Sequence, residues 1–408
     1  MYPRISHLIY DLTGLQLPIP IQTFGTFMAL AFLTAYLLLR KELKRREDAG
    51  HFALRTEKVR KSGPMPIWEL VVVTLAFSFV GWKLGLLITD RQYFYDHTQE
   101  IIFSTDGSVL FAIIGLVGGG AYKVWRFIQR KNAPIVEEEI TVGPAYYIGA
   151  MTTLAFVYGI LGSKVFAWFE DWQGFLADPL GSLLSFDGLT FFGGLLAAGF
   201  MICRFLWKRG FHVLTSIDAF VPALILAYGI GRIGCQMAGD GDWGIVNEAP
   251  QPAALAWLPD WTWSYQYPHN VISTAPSPNL TLIESDCASS YYAPYCYQLA
   301  KPVFPTPIYE TIMCVAIFIV LMLVRKRMRF AGELTALYLI LLGMERFWIE
   351  KIRVNTEYTL AGLHFTQAEL IAALMILSGA VLWIIMRRKG RRMPEYGGAR
   401  QQPQQNPV

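Results

Sequence analysis

Charge is what this 408-residue sequence has least of: Asp, Glu, Lys and Arg make up 16% of it, against 54% hydrophobic residues. Soluble domains carry about 25% charged residues, so the composition excludes an ordinary water-soluble fold and points to a membrane protein. Cysteine is also sparse. Of five, Cys203, Cys235 and Cys314 lie in or at the ends of apolar runs. No Cys/His spacing suggests zinc, and neither a metal nor another cofactor is expected. A cleavable signal peptide is missing too, because the first apolar run has no basic segment before it and no small-residue cleavage site.

What the sequence has instead is long apolar runs. Crossing a ~30 Å hydrocarbon core takes about 17–25 residues. Nine runs qualify, near 21–39, 67–89, 107–125, 143–168, 188–207, 215–235, 305–324, 332–350 and 367–386. The expected fold is an all-α polytopic membrane protein of about nine transmembrane helices with a small extracytoplasmic lobe. Basic clusters follow the first, third, fifth, seventh and ninth runs ("RKELKRRE", "KVWRFIQRK", "RFLWKR", "RKRMR", "RRKGRR"), whereas residues 236–304 hold one lysine, Lys301, and no arginine. That alternation places the N-terminus outside and the C-terminus in the cytoplasm. The net charge of +4 comes from these loops and gives no reason to expect a nucleic-acid partner. The expected organisation is helices one to six in 1–235, the lobe in 236–304, helices seven to nine in 305–388, and a disordered cytoplasmic tail in 389–408.

Within the lobe, Cys287 and Cys296 lie nine apart where oxidation is permitted, so a local disulfide is expected. "WTWSYQYP" alternates aromatic and polar residues, which predicts an extended strand with Trp261, Trp263, Tyr265 and Tyr267 on one face. Such a face suits either a self-contained core or a lobe resting on the headgroup layer, and the second reading is favoured. Two hairpins in the first half look alike at an offset of 81: "TLAFSFVGWK" with "TLAFVYGILGSK", and "GSVLFAIIGLVGGG" with "GLTFFGGLLAAGF". They are either a duplicated hairpin or two apolar pairs that share Gly and Leu.

Ionisable residues inside apolar runs are costly, so each is a functional candidate. Arg232 closes the sixth run and leads into "MAGDGDWG", with Asp240 and Asp242 among Gly239, Gly241 and Gly244. "PTPIYE" opens the seventh run with Tyr309 and Glu310, and "ERFWIEKIR" ends the eighth. There Arg346, Glu350 and Arg353 share an arc of about 60° on a helix. Two arginines at outer helix ends suit a phosphate, and the glycines let backbone turn tightly and approach a ligand. Glu350 is equally readable as an i,i+4 partner of Arg346. Gly193 and Gly194, in "TFFGGLLAAG", provide either close helix packing or room for a headgroup.

These motifs resemble the prolipoprotein diacylglyceryl transferase family. Its pattern G-R-x-G-N-F-x-N-G-E-x-W-G is similar to "GRIGCQMAGDGDWG", its P-[ST]-x-L-Y-E to "PTPIYE", and its Y-G-x-x-R-F-x-x-E-x-x-R to "LGMERFWIEKIR". The resemblance implies transfer of the diacylglyceryl group of phosphatidylglycerol, a membrane lipid, to the lipobox cysteine of preprolipoprotein signal peptides. It implies Arg232, Arg346 and Asp240 as catalytic, with Gly193, Gly194, Gly239, Gly244, Tyr309, Glu310, Glu350 and Arg353 at the substrate. The chain departs from the pattern in several places. Phe192 stands where the family has a histidine before Gly-Gly, Cys235 replaces its Asn, Asp240 its Glu and Leu342 its Tyr. The two runs at 67–125 exceed the family's seven spans. Without that histidine, the base is His269, Asp240 or Asp242, or the arginines alone activate the thiol. Beside arginines, Asp240 is expected to be a poor base and a good orienter. Rival readings are a transporter, whose sites sit nearer the midplane, and an inactive lipid-binding homologue.

Overall fold

A computed structural model describes the chain except for residues 18–20, 63–65, 97–100, 102–103, 132, 180–181, 183–189, 273–279, 285–286, 288–289, 294, 355–356, 361–362 and 390–408. The expected tail, 389–408, thus falls almost wholly outside the described residues. The longer helices are α1 (Ile5–Thr13), α2 (Thr23–Asp48), α3 (Ile67–Leu84), α4 (Val109–Arg130), α5 (Ile148–Glu170), α6 (Phe191–Lys208), α7 (Val213–Ala238), α8 (Thr306–Val324), α9 (Glu333–Glu350) and α10 (Gln367–Lys389). Short antiparallel ribbons pair β1 (Arg55–Ser62) with β2 (Val136–Val142), β3 (Leu282–Glu284) with β4 (Tyr297–Leu299), and β5 (Glu357–Leu360) with β6 (Leu363–Thr366). The fold is that of an all-α polytopic membrane protein. Among the described residues, seven helices are long and apolar enough to cross a membrane. The predicted fifth and eighth spans are also helical, as α6 and α9, but are not among those seven. In its 18 residues α9 carries Glu333, Glu345, Arg346 and Glu350.

The chain forms two compact units, Met1–Ala53 with Cys203–Val408, and Leu54–Ile202. In the first, α7 packs against α2, α8 and α9, and α9 against α10. Small residues permit that centrality: a Cβ on Gly229 would lie 2.9 Å from Cys314 Cβ, and one on Gly234 the same distance from Phe27 Cβ. Val221, Ile225, Cys314, Ile317, Leu321 and Leu334 form the core between α7, α8 and α9. Helix N-termini leave backbone N–H groups unsatisfied, and α7 supplies the missing acceptor for α9. Asp218 accepts from the N–H groups of Gly332 (2.8 Å) and Thr335 (2.9 Å) and from the Thr335 hydroxyl (2.5 Å).

Residues 239–304 form a lobe around Trp243, Tyr267, Leu280, Leu299 and Val303. Of the four aromatics, Tyr267 enters that core and Tyr265 packs against it, while Trp261 is exposed. The strand expected at 261–267 did not: Pro259 leads into a 3-10 turn over Asp260–Thr262, and Tyr267 takes a positive φ of 49°. The expected disulfide joins Cys287 and Cys296.

In the second unit the two hairpins repeat each other contact by contact. Ser108 N–H donates to Trp82 O in one, and Thr190 N–H to Ser163 O in the other. Lys83 Nζ caps Ser104 O at 2.6 Å; Lys164 Nζ caps Ser182 O at 3.1 Å. Gly81 presses on the backbone of Phe111, and Gly162 on that of Gly193. The partners are offset by 81 on the first helix and 82 on the second. One difference is reciprocal. Gly85 faces the Cβ of Phe111, while Gly193 faces the Cβ of Phe166, so the large and small residues have changed helices. Two unrelated apolar pairs have no reason to share these contacts; the hairpin is duplicated. The β1–β2 ribbon, which periodicity did not reveal, sets Lys58 opposite Glu139 and Arg60 opposite Glu137.

Removing the Asp218 cap leaves buried donors of α9 unmade, which costs on the order of 1.5–3 kcal/mol. Asp218→Ala is expected to lower the thermal midpoint of the detergent-solubilised protein, and Asp218→Asn to lower it less. An unchanged midpoint in the alanine variant refutes the capping role.

Candidate functional site

α7 stops at Gly239, whose left-handed φ of 67° and N–H bond to Cys235 O at 2.9 Å make a helix C-terminus that glycine adopts without strain. Gly241 repeats the positive φ at 94°, and the chain turns Asp242 back toward Arg232. Gly244 then meets the end of α9. Its N–H donates to Phe304 O at 2.9 Å, it forms an isolated β-bridge with Arg353, and Ile245 N–H donates to Ile352 O at 2.9 Å. A Cβ on Gly244 would lie 2.5 Å from Ile352 O. This backbone contact, which only glycine allows, sets Arg353 beside Asp242.

Four charges then close into a ring. Arg232 contacts Glu310 (Nε to Oε2, 2.5 Å) and Asp242. Arg353 contacts Glu310 (Nη1 to Oε1, 3.1 Å) and Asp242. Each carboxylate offers one oxygen to each arginine. Beneath the ring, Tyr228 donates its hydroxyl to Glu310 Oε2 at 2.6 Å, and the Arg232 guanidinium lies 5.0 Å from the Tyr228 ring centre. Arg346 stands 3.7 Å from Glu350, which accepts from Thr366 Oγ1 at 2.6 Å. Glu345 is 3% exposed, and neither of its oxygens has a hydrogen-bond partner among the described residues. The charges that act on it are those of Glu310, Arg346, Arg232 and Arg353.

The structure thus gathers Arg232, Asp242, Glu310 and Arg353, with Arg346 and Glu350 adjacent. The residue joined to Arg232 through shared carboxylates is Arg353, where the sequence pointed to Arg346. Asp240 braces the loop, accepting from the Asp242 N–H at 3.3 Å. Arginines were expected to lower its pKa. Burial instead pushes the carboxyl up, outweighing the Cys235 thiol and the Arg232 and Arg353 charges, which all act to lower it. Asp242 has both oxygens on arginines and is poorly suited to serve as a base. His269 is held elsewhere in the lobe, stacked on Tyr292 at 4.2 Å with Nδ1 3.0 Å from Tyr295 O. Tyr309 ties α8 to the lobe through Thr262 O at 2.8 Å. Gly193 and Gly194 belong to the second unit, where α5 fills the space above both: Gly162 O lies 2.6 Å from a Cβ on Gly193, and Gly159 O 2.7 Å from one on Gly194. These contacts fit helix packing, one of the two readings of the pair. The Phe192 side chain lies outside the described residues. Tyr228 and Glu345 were missed. Tyr228 is one turn before Arg232, and Glu345 stands next to Arg346; those spacings were the only signals.

Fold and site together define a polytopic membrane protein with an arginine-rich, charge-balanced cluster where a helix bundle meets a lobe. Residues 12–152 and 139–385 match the model of the prolipoprotein diacylglyceryl transferase family, and the chain belongs to that family. The two matches overlap and run through one hairpin each, in keeping with the duplication. The chain is 25% identical over 285 residues to a phosphatidylglycerol–prolipoprotein diacylglyceryl transferase of Corynebacterium glutamicum, covering 69% of this chain and 79% of that one. It is 26% identical over 297 residues to the enzyme so named from Dehalococcoides mccartyi, covering 72% and 95%. A third, from Enterococcus faecalis, is 26% identical over 245 residues, or 59% and 76%.

If the Gly244 contact sets Arg353 against Asp242, Gly244→Ala is expected to cut activity by tenfold or more through its clash with Ile352 O. The protein should still insert and elute as a folded species. Wild-type turnover in Gly244→Ala refutes the role.

Proposed function

We propose that the protein transfers the diacylglyceryl group of phosphatidylglycerol to the lipobox cysteine thiol of a preprolipoprotein. A thioether forms and glycerol phosphate is released. The observation that carries this reading is the pairing of Arg232 and Arg353 through shared carboxylates at the lobe end of the bundle, in a chain of this family. In the proposed step the thiolate sulfur attacks the glycerol carbon, the C–S bond forms, and the C–O bond to phosphate breaks. The electron pair of that bond leaves with the phosphate. Guanidinium groups aimed at the departing phosphate stabilise the charge that develops there, an effect that often dominates catalysis. The same arginines favour thiolate, which at an ordinary pKa of ~8.5 is only a few per cent of the thiol at neutral pH. The reading places the lobe and the ring on the outer face, the N-terminus outside and the C-terminus in the cytoplasm, and requires no cofactor.

Proton handling falls to the Gly239–Gly244 loop. With His269 tied into an aromatic stack and Asp242 held by arginines, Asp240 is the one left of the three candidate bases, and the burial that raises its pKa makes it a better base. Cys235, whose Sγ lies 3.9 Å from Arg232 Nη1, is a neighbour of the ring; the accepting thiol belongs to the substrate.

The test is reconstitution with phosphatidylglycerol and a lipobox peptide, with the thioether product read by mass spectrometry. Arg232→Ala should abolish transfer in a protein that remains folded, since losing a charged hydrogen bond costs about 1.5–3 kcal/mol before transition-state charge is added. Near-wild-type turnover in that variant excludes the assignment.

The pH–rate profile separates the bases. A base with a raised pKa loses activity as pH falls through that pKa, so the acid limb should lie above the ordinary carboxylate range. It should vanish in Asp240→Asn and persist in His269→Ala. A limb that disappears in His269→Ala transfers the role to His269.

A further inference from the structure

We propose that Asp242 is the resident anion of a phosphate notch between Arg232 and Arg353: the lipid phosphate displaces it on entry, and it returns to expel glycerol phosphate. The proposal rests on the transferase reading above and concerns how that site admits its substrate and releases its product.

As it stands, the ring is neutral. Two arginines face two carboxylates, and each carboxylate bridges both arginines. A phosphate diester added to the ring would bring a charge that no unpaired ring cation meets, whereas exchange of one anion for another keeps the balance. Of the two carboxylates only one can leave readily. The Glu310 side chain is 0% exposed and also receives the Tyr228 hydroxyl, while the Asp242 side chain is 21% exposed and holds only the arginines. Asp242 gives Oδ2 to Arg232 and Oδ1 to Arg353. A phosphate can span the same two guanidinium groups with two of its oxygens.

The arginines also have donors to spare. Arg232 Nε and Arg353 Nε are buried and have no hydrogen-bonded acceptor among the described residues. Glu310 Oε2 lies 2.5 Å from Arg232 Nε, but the N–H is not aligned with it. A carboxylate has two oxygens and a phosphate diester has two non-ester oxygens plus two ester oxygens, so phosphate can take up donors that Asp242 leaves unmade.

The backbone around Asp242 defines how it moves. Its carbonyl accepts from Thr306 Oγ1 at 3.2 Å, and the next residue, Trp243, is 2% exposed in the lobe core. The loop is pinned on that side, so exchange is a rotation of the Asp242 side chain. The positive φ of Gly241 turns the chain just before it, and the Asp242 side chain already reaches solvent where it pairs with the arginines.

A tethered competitor weakens binding of substrate and product alike. Asp242→Asn keeps the shape and removes the charge. In the reconstituted full-length protein, inhibition by sn-glycerol 1-phosphate and its calorimetric Kd should tighten on the order of tenfold, the scale of one charge-assisted pair. KM for phosphatidylglycerol should fall, and kcat should fall with it as product release slows. An unchanged or weakened glycerol phosphate Kd in Asp242→Asn overturns the proposal. The wild type supplies the second measurement: a structure with sn-glycerol 1-phosphate should show phosphate between Arg232 and Arg353 with Asp242 turned out. Phosphate bound with Asp242 still bridging both arginines overturns it. Failure of the transferase reading looks different, because wild-type protein then forms no thioether at all.

Discussion

Everything at the lobe end of this protein depends on keeping Arg232, Arg353, Asp242 and Glu310 together. An isolated charge at that depth costs several kcal/mol, and an ion pair repays it only when the geometry is good and further hydrogen bonds are made. The ring satisfies both conditions by letting each carboxylate serve two arginines, with Tyr228 adding a hydroxyl to Glu310. Three helices and a loop must therefore agree on one position. Gly239 ends α7, Gly241 turns the chain, and Gly244 docks on Ile352 and Phe304. The glycines and the charges are one device. Loss of any member strands a charge, so this end of the protein tolerates change less than the apolar helices that carry it.

The hairpins show the opposite tolerance. The exchange of Gly85–Phe111 for Phe166–Gly193 leaves helix spacing intact because one large and one small residue still face each other. Packing volume is conserved across the contact while residue identity is not, as close-packed interfaces require. That explains why a sequence comparison at an offset of 81 looks loose and the structure does not: the constraint acts on pairs, and a pair can be filled in either order.

The sequence was informative wherever a property is local. Run length and composition reveal the helices, since crossing a bilayer sets a minimum length. Arg232 and its glycines stand out because a helix that merely spans a membrane has no use for them, and Cys287 with Cys296 because nine residues make a short loop. The partner of Arg232 was not legible. The sequence set Arg346 and Arg353 on one helical arc, but α9 ends at Glu350 and Arg353 lies beyond it, held by the backbone bridge from Gly244, more than a hundred residues away in the chain. The choice between Asp240 and Asp242 failed for a related reason. The family pattern has one acid between its glycine and tryptophan, this chain has two, and their roles are set by the turn at Gly241. The aromatic alternation at 261–267 misled because period two is a property of strands only when neither end is held in a turn, and Pro259 and Tyr267 hold both.

The missing histidine can be weighed against this frame. Duplication offers a second copy of the hairpin that could have kept it, but the positions that correspond are Leu110 and Phe192. Neither copy supplies an imidazole. What remains near the ring are carboxylates and arginines, and they divide by burial and engagement. Glu310 and Asp242 neutralise arginines; Asp240 is buried, braces the loop, and is left with an affinity for protons above that of an ordinary aspartate. An imidazole is neutral when it acts as a base, and an aspartate in that role is charged. It must therefore sit where arginines offset its charge without holding its oxygens. Asp240 meets that condition because Asp242 takes up both guanidinium groups while their charges still act on Asp240, so the second acid of "GDGDWG" is what frees the first to hold a proton.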